Sequence, residues 1–346
     1  VVDFRYHLVS LISVFFALAI GIILGAGPLQ NSIGNVLQGQ VADLRVTNEQ
    51  LKADKSSLAH VTNSQSQAFN ELAPSLVNGK LDGRRVALVV LPGVPQAQVS
   101  DVRAKLELAG ATMTGQATVT DAWTLASQTS FRSTFADQIR TYVPGVANNA
   151  DTNTILAGAL NAITREGVTK HGTLAGLMTG TDTPMLAVDA MKDPADVVIA
   201  LAADIDPSKN ATKDADAVAQ QQYTSETLTA LVSEIAARGP AVAVGAANSD
   251  GDVVRALRDG GVRISTADSP ELVIGQINVA IAAASALNNA VIHLGIDSGA
   301  QSVLGTLELS PVATEGATEA PADGATAAAT EPPADGEATP SEETTE

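Results

Sequence analysis

No cysteine occurs in the 346 residues. Disulfides, thiolate zinc sites, iron–sulfur clusters and cysteine nucleophiles are therefore excluded. Aromatic residues are scarce at 3%, too few for a base-stacking surface. Positive charge is short as well: 20 Lys and Arg stand against 38 Asp and Glu, a net charge of −18. That balance excludes a general binder of phosphate backbones, so no nucleic-acid partner is expected. No G-x-G-x-x-G opens a helix after a strand, and Walker A, G-x-S-x-G and H-E-x-x-H are missing. The chain is not expected to be an enzyme.

The charge is unevenly placed. Residues 311–346 hold nine acids and no Lys or Arg, among Ala, Thr, Pro and Gly. Such a composition cannot bury enough surface to offset its ordering entropy, so this acidic tail is expected to be disordered.

The opening carries the longest apolar run. Residues 8–27 read LVSLISVFFALAIGIILGAG, 20 positions without a charge. As a helix they span about 30 Å, the thickness of a bilayer core. Arg5, Tyr6 and His7, in the flank 1–7, stand where interfacial anchors belong. A cleaved signal peptide is the alternative, but its apolar stretch usually measures only about 7–15 residues. Cleavage after Gly25-Ala26-Gly27 would also leave Pro28 next to the cut. The expectation is an uncleaved single-pass anchor in the cell membrane or envelope. A slight positive bias before the segment puts the bulk of the chain outside the cytoplasm. Ala17, Gly21 and Gly25 recur every four residues. Small residues so spaced let two membrane helices approach closely, although Gly and Ala are common in such helices anyway.

Residues 28–77 continue as a coiled-coil stalk. Leu37, Leu44, Leu51 and Leu58 are spaced by seven, and Leu72 resumes the series after Gln65. Taking these as d, the a positions are Val41, Asn48, Lys55, Thr62, Phe69 and Leu76. Asn48 at a is a register-fixing device in parallel dimers. Polar a positions suit a loose two-stranded seam, and the expected partner is a parallel second copy of this chain. The alternative is an amphipathic helix packed on its own domain. Pro74 should end the rod slightly early.

Residues 78–310 read as an α/β domain with a mainly parallel sheet. Runs 86–91 (VALVVL) and 197–201 (VVIAL) are continuously apolar, as in strands buried on both faces. A helix over 99–109 and a strand over 111–119 complete one βαβ unit. Residues 121–190 read as mostly helical. Further strands fall at 241–245 and 262–265, and further helices at 225–238 and 252–258. A last helix is capped by Ser269, starts on Pro270 and runs to about Leu287.

Candidate chemistry is thin. Asp204 and Asp206 follow the 197–201 strand, where two carboxylates could hold a divalent cation or work as an acid/base pair. A solvated turn before Pro207 explains them more simply. Asn248-Ser249-Asp250 is explained by a helix N-cap. His171, Met178, Met185 and Met191 fall within 21 residues. Thioether and imidazole suit Cu(I), but the spacing matches no recognised site, and core methionines are the simpler account.

The opening DFRYHLVSLISVFFALAIGIILGAGPL resembles the start of the actinobacterial copper-transporter MctB family. LDGRRVALVVLPG after the rod and AASALNNAVIHLGIDSGAQSVLG near the end extend the resemblance over about residues 3–305. The resemblance implies a role in copper homeostasis, with a copper ion as the transported species and a channel-forming role in the outer envelope. It supplies no ligand residues for particular positions here. A membrane β-barrel needs at least eight alternating strands of about 10 residues. The strands here are short, continuously apolar and interleaved with helices, so a pore would require several copies, each contributing one helix. The competing expectation is a self-associating scaffold, or an adaptor for other envelope proteins, with no transport of its own.

Overall fold

The computed structural model describes residues 4–26, 28–180, 182–205 and 215–305, with backbone alone over 26–36. Asp206 and the tail 311–346 lie outside the described residues. Helix α1 (Phe4–Ala26) holds the apolar run, with every described side chain exposed. Helix α2 (Pro28–Val77) follows, 50 residues long, opening on a proline whose missing N–H no helix start requires.

Pro74 does not end α2. The helix runs to Val77 and stops where Gly79 turns left-handed at φ 74°. The Asn78 N–H donates to the Pro74 carbonyl (3.0 Å), closing the last turn. Ala73, Val77 and the following Leu81 are wholly buried, and that packing offsets the proline penalty.

The α/β part begins with β1 (Arg85–Val90), α3 (Gln96–Leu108) and β2 (Thr112–Val119). The region 121–190 supplies α4 (Asp121–Thr124), α5 (Thr129–Ile139), α6 (Thr152–Glu166) and α7 (Gly172–Thr179). It also supplies β3 (Leu186–Asp189), a strand absent from the sequence expectation. Then come β4 (Val197–Leu201), α8 (Ala215–Ala237), β5 (Ala241–Val244), α9 (Val253–Asp259), β6 (Ser265–Ala267), α10 (Val273–Leu287) and β7 (His293–Leu294). The seven strands form one sheet in the order β3-β2-β1-β4-β5-β6-β7. Every neighbouring pair is parallel except β2–β3.

Alternation along each strand feeds two cores. Val86, Leu88 and Val90 of β1, with Val197, Ile199 and Leu201 of β4, pack with α3, α10 and the foot of α2. Ala87, Val89, Val198, Ala200, Ala241 and Ala243 face α5 to α9. Helices cover both faces, so the central strands are apolar throughout. At Gly115 the β1–β2 register shifts by one residue. A Cβ there would lie 2.4 Å from the Asp189 carbonyl, so glycine is what lets β3's exit pass over β2.

Three expected boundaries move. The helix expected at 225–238 is α8, which starts ten residues earlier, at Ala215. The strand expected at 262–265 is β6, three residues later. Residues 262–264 form a turn after Gly261 (φ 62°), with the Ile264 N–H donating to Val262 O at 2.8 Å. Ser269 does not cap α10. It sits left-handed at φ 53° with its hydroxyl on Asp268, and the helix starts at Val273.

Candidate functional site

Helix α2 serves two purposes along its length. At its foot Phe69, Ala73, Leu76 and Val77 pack into the core shared with α3 and α10. Lys105 of α3 donates to the Asn70 side chain (2.6 Å). Phe69 and Leu76 are heptad a positions, so the chain's own domain takes the a side of the seam there. Higher up, Leu37, Val41, Leu44, Leu51 and Leu58 remain 45–68% exposed, and Asn48 is exposed among them. The row expected to bind a second copy is therefore uncovered from Leu37 to Leu58. Ala17, Gly21 and Gly25 lie exposed on one face of α1, and a Cβ added at either glycine meets no atom within 4 Å.

The second region is the carboxyl edge of the sheet. The order reverses between β1 and β4, where ligands usually enter doubly wound sheets. There the described residues after β1 and β4 approach each other closely. A Cβ on Gly93, after β1, would stand 3.2 Å from the Ala203 methyl. One on Gly245, after β5, would stand 2.8 Å from the Ala202 carbonyl.

Carboxylates collect along this edge and are spent on backbone amides. Asp252, fully buried, accepts from Ser249 N–H (2.8 Å) and Ile205 N–H (3.1 Å), tying the loops after β4 and β5 together. Asp252, not 248–250, is the N-cap residue of α9. Asp297 accepts from Ala247 N–H (2.9 Å). Asp268, also fully buried, accepts from Ile296 N–H (2.8 Å), Asp297 N–H (3.3 Å) and the Ser269 hydroxyl (3.0 Å). Its other oxygen pairs with Arg258 at 2.9 Å. Gly295 makes room, since a Cβ there would overlap the Asp268 carboxylate at 2.0 Å. Burial raises the pKa of Asp252, and neighbouring Asp204 adds to it. Burial likewise raises Glu271, reinforced by Asp297, Asp204 and Asp268.

Asp204 is exposed at the end of β4. Among the described residues no group of three His, Asp or Glu side chains is placed to hold a metal ion. His171 stands at the start of α7, Met178 lies within it, and Met185 and Met191 flank β3. The three methionines are buried to 1% or less, in the core facing α5 to α9. Met185 N–H donates to the Met178 carbonyl (3.0 Å). His171 Nε2 lies 3.0 Å from Glu166, whose carboxyl Lys170 and His171 hold below its usual range. His7 and His60 are exposed on α1 and α2, and Met113 packs against the opposite core.

Asp252, Asp268, Glu271 and Asp297 were not singled out from the sequence. A signal was available, because Asp204, Asp252, Asp268 and Asp297 all fall within about eight residues of a strand's carboxyl end.

No curated protein matches the chain. The model of one family does, over residues 1–305, under the description copper transport outer membrane protein, MctB. With one apolar helix among the described residues long enough to cross a bilayer and a family match over most of its length, this chain belongs to the MctB copper transport outer membrane protein family.

Proposed function

We propose that the chain serves copper transport in the cell envelope as a membrane-anchored parallel oligomer, the bulk of each copy lying outside the cytoplasm. The observation that carries this is the uncovered apolar row of α2, in a chain of a copper-transport family. Each copy has one helix fit to cross a bilayer among its described residues. A path for an ion through such helices needs several copies around it. The small-residue face of α1 and the leucine row of α2 call for the same partner, a neighbouring chain running in the same direction.

The test is copper content and copper tolerance of cells lacking the gene, complemented with wild type or with Leu44→Ala/Leu51→Ala. Wild type should restore both and the double variant neither. A deletion that leaves copper content and tolerance unchanged refutes the transport reading.

A second reading is favoured by one observation. Most edge carboxylates are occupied by backbone amides, and the methionines are buried. A self-associating envelope scaffold or adaptor requires no metal ligands. It is the reading left standing if copper handling is unaffected while the double variant still mislocalises a partner.

A further inference from the structure

We infer that Lys55 of each α2 is held across the seam by the partner's Asp54, and that this pair, with Asn48, makes the stalk a parallel, in-register dimer. The pairing rests on the parallel oligomer proposed above, whose strand number and register it sets.

Between Leu37 and Leu58 the row carries leucine at every d position and Val41, Asn48 and Lys55 at a. All seven side chains are exposed, so no described part of the chain covers them. Leucine at d with neither leucine nor isoleucine at a is the pattern of two strands rather than three or four. A third strand would also enclose three ammonium groups in one layer at Lys55, with no opposite charge inside it. Two strands leave that layer open at its sides. The lysine stem can then pack along the seam while its head reaches the rim.

The seam geometry decides what the head meets. In a parallel coil a side chain at a packs beside the partner's g residue, one position earlier in sequence. Lys55 therefore meets the partner's Asp54, and by symmetry Asp54 meets the partner's Lys55. Within its own helix neither charge has an opposite one three or four residues away. Asp54 has Gln50, Leu51, Ser57 and Leu58 at those spacings, and Lys55 has Leu51, Lys52, Leu58 and Ala59. Among the described residues neither enters an ion pair. Slipping one copy by a heptad puts Lys55 beside the partner's Thr47 or the partner's Val61 and separates the two Asn48 amides. Only the in-register pairing satisfies both layers. A dimer brings two α1 helices, too few to surround an ion, so a path among these helices would take several such pairs.

The experiment uses the full chain in detergent, its mass measured on dilution. Two copies are expected. The chain has no cysteine, so Leu58→Cys gives one thiol per copy, and mild oxidation should link two copies through it. Asp54→Lys and Lys55→Asp each turn two attractive contacts into repulsive ones, and each should weaken self-association about ten-fold. The loss should shrink at high salt. Mixed together, the two variants should pair with each other in preference to themselves. Three copies in wild type, no disulfide in Leu58→Cys, or mixing without preference overturns the inference. Dimers as tight in both charge variants as in wild type overturn it while leaving the parallel oligomer standing. A wild-type monomer overturns both.

Discussion

Removing the Asp268 carboxylate tests the account of the sheet edge most directly. Asp268 and the Arg258 side chain are 0% and 3% exposed, paired at 2.9 Å. The Asp268 oxygen facing Arg258 receives no aligned hydrogen bond, so the contact is charge against charge. Asp268→Ala leaves a buried guanidinium without its counter-charge and strips an acceptor from the Ile296 and Asp297 amides. Breaking a buried pair from one side costs about 3–5 kcal/mol. Against a usual total of about 5–15 kcal/mol, that is a large share. At about 2–4 °C per kcal/mol for a domain of this size, the melting temperature should fall by roughly 6–20 °C. Arg258→Met in the same chain removes the stranded charge, so the double variant should be more stable than the sum of the single losses. The assay is urea and thermal unfolding of all four proteins, followed by circular dichroism. A loss below about 1 kcal/mol for Asp268→Ala, or strict additivity in the double variant, would refute the reasoning.

Three further outcomes follow from particular contacts. Residues 36–310 should sediment as an oligomer and Leu44→Ala/Leu51→Ala as a monomer, since each buried Leu→Ala typically costs about 2–5 kcal/mol; a wild-type monomer at high concentration removes the seam. Gly115→Ala places a methyl against the Asp189 carbonyl at φ 149°, and should raise hydrogen exchange across β3 and lower the urea midpoint; an unchanged midpoint contradicts the close crossing. Glu271 and Asp252 have raised pKa values. The folded state therefore keeps their protons longer than the unfolded chain, and their contribution is lost as pH rises from the ordinary carboxyl range through the folded values. Asp196 is held low by its hydrogen bond from Arg85, so its contribution is lost as pH falls. Glu271→Gln should flatten the first limb of a stability-against-pH curve and Asp196→Asn the second; unchanged limbs show the assignments to be wrong.

Much of the scaffold was legible because its strands are buried on both faces. The runs at 86–91 and 197–201 admit few other structures at that length. β3 was not legible because it is a covered-on-one-side edge of four residues, LAVD, between a proline and a left-handed alanine. β6 was read three residues early, because Ser265 and Thr266 are polar and buried only where Ala290 O and His293 Nδ1 meet their hydroxyls. Ser269-Pro270 has the form of a helix start, but the neighbouring Asp268 captures the serine hydroxyl. Heptad spacing could mark the apolar stripe of α2 without saying who covers it. Phe69 and Leu76 obey the same rule as Val41, yet the domain takes the first two and leaves the third. The edge carboxylates are brought together only by the sheet order, which no local pattern contains.

The uncovered length of α2 has an electrostatic consequence. From Leu37 to Thr62 the helix rises about 40 Å. Counter-ions damp a field over about 8 Å at physiological ionic strength, so that rise is some five screening lengths. Were α1 to lie in a bilayer with α2 along its normal, the acidic α/β part would stand beyond the reach of an anionic lipid surface, and only the charges on the lower part of α2 would feel it. Ions approaching the domain should then be sensitive to its own negative field and indifferent to lipid composition.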